Sequence, residues 1–168
     1  MSLSMYQASA PVLVRALQNL SAILKKGEAH AEAKGIDPAV LVNARLAPDM
    51  LSLAGQVQIA SDGAKGGAAR LAGGEPPSYP DTETSFTELQ ERIAKTIAFL
   101  NSLKPEQFDG SEERTITLKP RGTEISFIGR SYLLNFVLPN LYFHVTAAYL
   151  ILRHNGVELG KLDFLGGI

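Results

Sequence analysis

Four separate segments of this 168-residue chain carry apolar residues at spacings of three and four, and this feature constrains the fold most. Such spacing places the apolar side chains on one face of a helix. Several helices of this kind bury their apolar faces against one another. The stripes are Leu13, Leu17, Leu20 and Leu24; Met50, Leu53, Val57, Ala60, Ala64, Ala68 and Leu71; Phe86, Leu89, Ile93, Ile97 and Leu100; and the apolar run 133–152. The sequence therefore predicts an all-α four-helix bundle.

Local start and stop signals predict where these helices begin and end. Asp37-Pro38 is typical of a helix start, Ser85 and Glu88 form a capping box, and Asn155-Gly156 is typical of a helix end. The predicted helices span 11–26 with an end before Gly35, then a short one at 38–44, then 50–71 after Pro48, 85–103, and 130–154.

The segments between the helices predict a crossover and a β-hairpin. Residues 73–80 are rich in Gly and Pro and are expected to be extended, so that helices two and three can run parallel. Alternating runs at 115–119 and 124–128, joined through Pro120-Arg121-Gly122, predict a hairpin before the last helix. We interpret residues 1–168 as a single domain. Gly63, Gly66 and Gly67 interrupt helix two and favour close packing against a neighbour.

Charge and cysteine content limit the classes of partner and chemistry. Sixteen Lys and Arg face seventeen Asp and Glu, a net charge of -1, so the summed field does not favour nucleic acid or anionic membranes. The absence of cysteine excludes disulfides, thiolate metal sites and a cysteine nucleophile. The N-terminus lacks the pattern of a secretory signal, and polar residues interrupt the apolar run 133–152. We expect a cytoplasmic protein that binds neither membrane nor nucleic acid.

A group of polar residues on helices two and four forms the candidate site. Asn140 and His144 lie one turn apart on an apolar face, and Gln58 and Asp62 share one side of helix two. A carboxylate facing the imidazole would create a general base or half of a metal site. The alternatives are a core histidine with one hydrogen bond and an exposed polar edge on helix two. Hydrolase and zinc-protease motifs are absent from the sequence.

Three stretches of sequence resemble the DinB/YfiT-like superfamily and, within it, the family of domain of unknown function 1993. They are Met5-Tyr6-Gln7-Ala8-Ser9; Leu46-Ala47-Pro48-Asp49-Met50 with the following 56–62; and 138–144 continued through 152–156. The resemblance covers nearly the whole chain. It implies an up-down-down-up bundle and a homodimer.

The resemblance also implies a possible metal centre. Many superfamily members look like metalloproteins with one histidine on helix two and a His-x-x-x-His pair on helix four, and some relatives are thiol transferases or isomerases. Here the pair falls on Asn140 and His144, and the helix-two ligand falls on Gln56 or Gln58. Two of the three implied imidazoles are thus amides, which are poor ligands for zinc or nickel. We therefore expect no metal, with His144 as the candidate ligand if a divalent metal binds.

Three functional hypotheses follow. The preferred one is a small-molecule binder with a degenerate or absent metal site, in which Gln56, Gln58, Asp62, Asn140, Tyr142, His144 and Tyr149 are the candidate pocket residues. A metal-dependent thiol transferase or hydrolase is the second. A non-catalytic dimerisation module, with helix four and the hairpin as its interface, is the third. The sequence does not decide whether the protein is an enzyme.

Overall fold

The computed structural model describes residues 3–119 and 122–167, and these are mostly helical. The short helix α1 (Met5–Ala8) leads into α2 (Ala10–Lys34). Pro11 lies in the first turn of α2, where its missing N–H leaves no hydrogen bond unmade. Gly35 ends α2 in the left-handed conformation, with φ 64°. The first helix was predicted in the right place, but it continues past Lys26 to Lys34.

The second long helix begins later than predicted. After α3 (Pro38–Val42) the chain turns, and α4 spans Leu53–Leu71 rather than beginning at Met50. The Ser52 hydroxyl accepts a hydrogen bond from the Gly55 N–H at 3.3 Å, which caps the helix there. Pro48 therefore belongs to the turn before α4 and not to its first turn.

The third helix and the hairpin follow as predicted. Helix α5 spans Phe86–Ser102, and Ser85 and Glu88 form its capping box. A 3-10 turn at Pro105–Phe108 leads to the strands β1 (Thr115–Leu118) and β2 (Ile125–Ile128), which pair antiparallel. The predicted turn residues Pro120 and Arg121 lie outside the described residues.

The predicted fourth helix contains a wider turn that the sequence pattern did not predict. It is built from α6 (Gly129–Tyr132), a π-helical turn (Leu133–Val137) and α7 (Leu138–His154). Proline cannot donate to the preceding turn, and its ring crowds the carbonyl four residues earlier. The π turn directly before Pro139 relieves this crowding and lets the helix continue.

A short last helix, α8 (Lys161–Leu165), was also not predicted. It packs on α2. The Asn19 side-chain amide donates to the carbonyl of Phe164 at 3.0 Å, and Lys26 pairs with Asp163 at 2.6 Å. Because five residues are too few for an independently stable helix, these tertiary contacts hold it in place.

The helices enclose one apolar core. Helices α2 and α4 each pack against both α5 and α7, and the predicted apolar stripes supply the fully buried side chains, among them Leu13, Leu17, Leu20, Leu24, Leu53, Val57, Ala60, Leu89, Leu141, Ala148 and Ile151. By length and composition, the helical segment Gly129–His154 is the one part of the described chain that could cross a membrane. Its inner face packs on α2 and α4, as core helices of soluble proteins do.

Candidate functional site

Gln56 and His144 form a hydrogen-bonded pair between α4 and α7. The imidazole Nδ1 lies 2.8 Å from the amide Oε1 of Gln56, and the two side chains are only 1% and 9% exposed. The Gln56 Nε2 donates to the carbonyl of Leu51 at 3.3 Å, so its oxygen must face the imidazole. His144 therefore carries its proton on Nδ1 and keeps a free lone pair on Nε2.

The environment of this pair keeps the imidazole neutral. Burial lowers the pKa of His144 below its ordinary value, because a charged ring loses water that the neutral amide of Gln56 does not replace. Among the described residues, the one hydrogen bond of the imidazole is that of Nδ1. Nε2 is therefore the ring nitrogen whose lone pair can accept a proton or a hydrogen bond.

Gln58 and Asp62 do not join His144 but belong to a second group, here called the Arg92 cluster: Gln58, Asp62, Lys65, Asp81, Glu83 and Arg92. The Arg92 guanidinium lies 2.8 Å from Asp62, 3.0 Å from Asp81 and 2.9 Å from Glu83. Gln58 donates to Glu83 at 2.9 Å, and Lys65 lies 2.6 Å from Asp62. The cluster ties the extended segment before α5 to both α4 and α5.

Hydrogen bonding keeps Glu83 ionised within this cluster. Burial alone would raise the pKa of Glu83, but the hydrogen bonds from Gln58 and Arg92 together outweigh it, and the pKa lies below its ordinary value. The carboxylate is therefore charged at neutral pH and balances the buried Arg92. The predicted site did not include Arg92. Its position on the same helix face as the apolar residues Leu89 and Ile93 was the sequence signal for a buried ion pair.

Asp62 and Asn140, two of the predicted residues, line a cavity of about 460 Å³ between the β-hairpin and the helices. We call it the hairpin pocket. Its other lining residues are Gly63, Arg70, Leu118, Lys119, Ile125, Phe127, Tyr132 and Phe136. Burial raises the pKa of the Tyr132 hydroxyl, which stays protonated at neutral pH. The pocket thus combines polar groups from α4 and α7 with apolar walls from the hairpin and the π turn.

Glycines on α4 make the room for the polar groups of this pocket. A Cβ atom on Gly63 would lie 2.9 Å from the Asn140 amide nitrogen, and one on Gly66 would lie 2.7 Å from the Arg70 guanidinium. One turn away, a Cβ on Gly67 would lie 2.5 Å from Val137. The predicted close packing is thus found at Gly67, where α4 lies against Val137 of the π turn.

The remaining predicted residues, Tyr142 and Tyr149, lie elsewhere. Tyr142 is partly exposed and lines two other grooves on α7. The Tyr149 hydroxyl donates to the carbonyl of Leu159 at 3.4 Å, and its ring packs edge-on against Phe164. The structure therefore distributes the candidate residues over three places: the Gln56–His144 pair, the Arg92 cluster with the adjoining hairpin pocket, and the outer side of α7.

The side chains at the implied metal position do not fit a transition-metal site. Gln56 Oε1 is engaged by His144, and amide oxygens are poor ligands for zinc or nickel. Across the described residues, no three His, Cys, Asp or Glu side chains come together in a metal-binding group. The single free nitrogen of His144 falls short of the three or four protein ligands that such sites use.

Comparison with known proteins finds a matching family model and similar solved structures. The family model described as Domain of unknown function (DUF1993) matches residues 5–165. The crystal structure of a DinB family member protein from Shewanella denitrificans is similar with a TM-score of 0.92 and 43% sequence identity, covering 98% of this chain and 93% of that chain. No curated protein matches this chain.

Proposed function

Because this chain belongs to the DUF1993 family and has a DinB-like fold, as the resemblance implied, and neither name specifies a reaction, we propose a function from the site itself: the protein binds a small organic molecule in the hairpin pocket. The observation that carries this proposal is the presence of Asn140 and Arg70 in one cavity of about 460 Å³. Cavities of this size are typical of small-molecule sites.

Unused hydrogen-bonding capacity supports the proposal. In the described part of the chain, the Asn140 side chain forms no hydrogen bond. Asn135 and His144, which precede and follow it along the helical segment, both have hydrogen-bond partners. The Arg70 guanidinium has only a long contact, 3.5 Å, to the Tyr132 hydroxyl. Polar groups at a cavity wall normally find partners in protein, water or ligand. Asn140 and Arg70 are therefore available to orient a bound molecule.

The apolar wall supports it as well. Phe127, Tyr132 and Phe136 stand in a triangle with ring centroids 5.5 to 5.7 Å apart. Such a surface contributes most of the binding free energy of a small ligand, while a few polar groups provide specificity. No reaction is assigned, since His144 does not line the hairpin pocket.

A fragment screen tests this proposal. Neutral aromatic fragments should perturb the backbone amide NMR signals of Gly63, which lines the pocket, and of Gly66, over which the Arg70 guanidinium lies. Gly63→Leu should abolish these perturbations, because the Asn140 amide is the only described atom within 4 Å of a Cβ at Gly63 and the new side chain would enter the cavity. Ala98→Leu, at an exposed position of α5, is the matched control. Fragments that bind Gly63→Leu as well as the wild type would refute the proposal.

We also infer that the helices run up-down-down-up, as the resemblance implies. The pairing of α2 and α4 with both α5 and α7, rather than mainly with each other, supports this order. So does the extended segment between α4 and α5, which is long enough to return along the bundle.

We further propose that the protein forms a homodimer through the α7 patch, defined as Leu46, Tyr142, Phe143 and Leu150. These side chains are all substantially exposed, Phe143 to 59%, and they line a groove of about 390 Å³. Contiguous exposed apolar surface of this kind marks interaction sites, and a twofold dimer would cover the patch with its own copy.

Light scattering after gel filtration tests the dimer. The wild type should have about twice the mass of the 18.0 kDa chain, and Phe143→Glu should have the mass of one chain, because the dimer would bury two unpaired carboxylates. Leu162→Glu, also at an exposed apolar position but on α8, should remain dimeric. A monomeric wild type would contradict the proposal.

A further inference from the structure

The hairpin pocket contains one guanidinium group without a carboxylate partner. In the described part of the chain, Arg70 forms no ion pair, and the only hydrogen bond of its side chain is the long one to Tyr132. The other charged side chains that line the pocket have oppositely charged partners: Lys119 lies 3.4 Å from Glu124, and Asp62 pairs with both Lys65 and Arg92. Among the described residues, Arg70 is thus the one charged group of the pocket wall without an oppositely charged partner.

We propose that the natural ligand of this pocket is a small organic carboxylate with an apolar or aromatic body, and that Arg70 binds its carboxylate. The proposal rests on the proposed function and specifies its ligand class. A guanidinium offers two parallel donors that match the two oxygens of a carboxylate, and the Asn140 amide adds a further donor in the same cavity.

The geometry of α4 holds Arg70 ready for this contact. Its guanidinium lies over Gly66, in space that any side chain at that position would occupy, since a Cβ there would be 2.7 Å from Nη1. A guanidinium positioned before binding loses less side-chain freedom when the ligand arrives. The missing side chain at Gly66 therefore has a role in the site.

The charge of the pocket favours a monoanion over a phosphate. A phosphate group carries close to two negative charges at neutral pH, whereas Arg70 supplies one positive charge. The Arg92 cluster, which reaches the pocket through Asp62, has three carboxylates against the two cations Lys65 and Arg92. A dianion would therefore be left partly unbalanced and close to Asp62. A carboxylate is matched by Arg70 alone.

The aromatic triangle specifies the rest of the ligand. The rings of Tyr132 and Phe136 are stacked, with an interplanar angle of 15°, and Phe127 is tilted against both. Leu118 and Ile125 extend this wall along the hairpin. An aromatic or branched aliphatic group can cover this wall while its carboxylate reaches Arg70 on α4.

An NMR titration with matched probes tests the inference. We would titrate 3-phenylpropanoate, its neutral amide 3-phenylpropanamide and 2-phenylethylphosphonate into the wild-type protein, following the amides of Gly63 and Gly66, in a buffer alkaline enough to make the phosphonate a dianion. The carboxylate should bind roughly ten- to a hundredfold more tightly than the amide, the range expected for a charge-assisted hydrogen-bonded pair. It should also bind more tightly than the phosphonate.

Variants of Arg70 isolate its contribution. Arg70→Met and Arg70→Gln should each remove the preference for the carboxylate and leave weak binding of the amide unchanged. Arg153→Met is the matched control, because Arg153 also lies in the last turn of a long helix but outside the pocket, and it should bind like the wild type. A carboxylate preference that survives both Arg70 variants would refute the inference.

The outcomes separate this inference from the proposed function. Equal binding of carboxylate and amide at the hairpin pocket would overturn the carboxylate assignment and leave the small-molecule site intact. Tighter binding of the phosphonate would overturn the monoanion assignment in the same way. If none of the probes and none of the neutral fragments perturb Gly63 or Gly66, both proposals fail.

Discussion

At the scale of single residues, the pairing of His144 with Gln56 determines which form of the imidazole the fold tolerates. The amide oxygen accepts the Nδ1 proton and carries no charge that would stabilise a second proton on the ring. The folded protein therefore favours the neutral imidazole, whereas the unfolded chain protonates it near its ordinary pKa of about 6.5.

This difference predicts a pH dependence of stability. Because the pKa of His144 is lowered in the folded state, the unfolded state binds more protons as the pH falls below about 6.5, and the free energy of unfolding decreases. His144→Gln should show a shallower decrease between pH 7 and 5, measured by urea denaturation. Glu83 is common to both proteins, and because its pKa is lowered, its stabilising contribution is present at neutral pH and is lost only as the pH falls through the ordinary range of carboxyl groups and below. Equal pH slopes in the two proteins would contradict this account.

Arg92 is the residue that joins the three carboxylates of the Arg92 cluster. Its side chain is 1% exposed and contacts three carboxylates, of which Asp62 and Asp81 remain partly in water. Breaking a fully buried ion pair costs roughly 3–5 kcal/mol, and exposure of the partners reduces this.

We expect Arg92→Met to lower the free energy of unfolding by about 2–3 kcal/mol. Chemical denaturation monitored by circular dichroism would measure the change. Arg153→Met, which removes an exposed arginine from α7, should change it by less than about 0.5 kcal/mol. Similar values for the two variants would show that the cluster adds little to stability.

At the scale of elements, α4 shows how neighbouring glycines serve different purposes. Gly66 makes space for the flexible end of Arg70, whereas Gly67 faces the branched carbon atoms of Val137 on the π turn. A new methyl group at position 66 displaces only the far end of a long side chain, which can move aside. The same group at position 67 pushes α4 away from the helix formed by the π turn and α7.

The two alanine variants should therefore differ in sign. Replacing glycine in a helix gains about 1 kcal/mol of helix propensity, and overpacking a buried contact costs about 1–3 kcal/mol. Gly66→Ala should leave stability unchanged or raise it by up to about 1 kcal/mol, while Gly67→Ala should lower it by about 1–2 kcal/mol. Parallel urea denaturation of both proteins measures the difference. A stabilising Gly67→Ala would show that the helices separate without cost.

At the scale of the whole molecule, α4 carries parts of every polar region described above. Gln56 faces α7, Asp62 joins the Arg92 cluster, and Arg70 reaches the hairpin pocket. One helix thus connects the core pair, the extended segment and the hairpin. None of these regions supplies the ligand set of a transition-metal centre.

Elemental analysis of tag-free protein should therefore find far less than one equivalent of zinc or nickel, in the wild type and in His144→Ala alike. The donor set predicts this, because one imidazole nitrogen with amide oxygens binds such ions weakly. Near-stoichiometric metal in the wild type that is lost in His144→Ala would contradict the prediction and favour a metal-dependent reaction.

The helices and the hairpin were predictable from the sequence because their signals are local. The spacing of Leu13, Leu17, Leu20 and Leu24 identifies α2, and the Ser85–Glu88 capping box marks the start of α5. The same logic failed at Met50, where the Ser52 cap moved the helix start to Leu53. It also missed α8, which is too short to carry a periodic pattern and depends on contacts with α2.

The composition of the candidate site depended on tertiary structure. Gln56 and Gln58 were equivalent alternatives in the sequence, yet one faces His144 and the other Glu83, because residues two positions apart on a helix point in directions about 200° apart. The sequence by itself determined the helical class, the hairpin and the family, since periodicity, caps and motifs are properties of short stretches. Only the tertiary structure decided which side chains meet, because the hydrogen bond between residues 56 and 144 joins positions 88 apart in the chain, and the rotation of each packed helix determines such a contact.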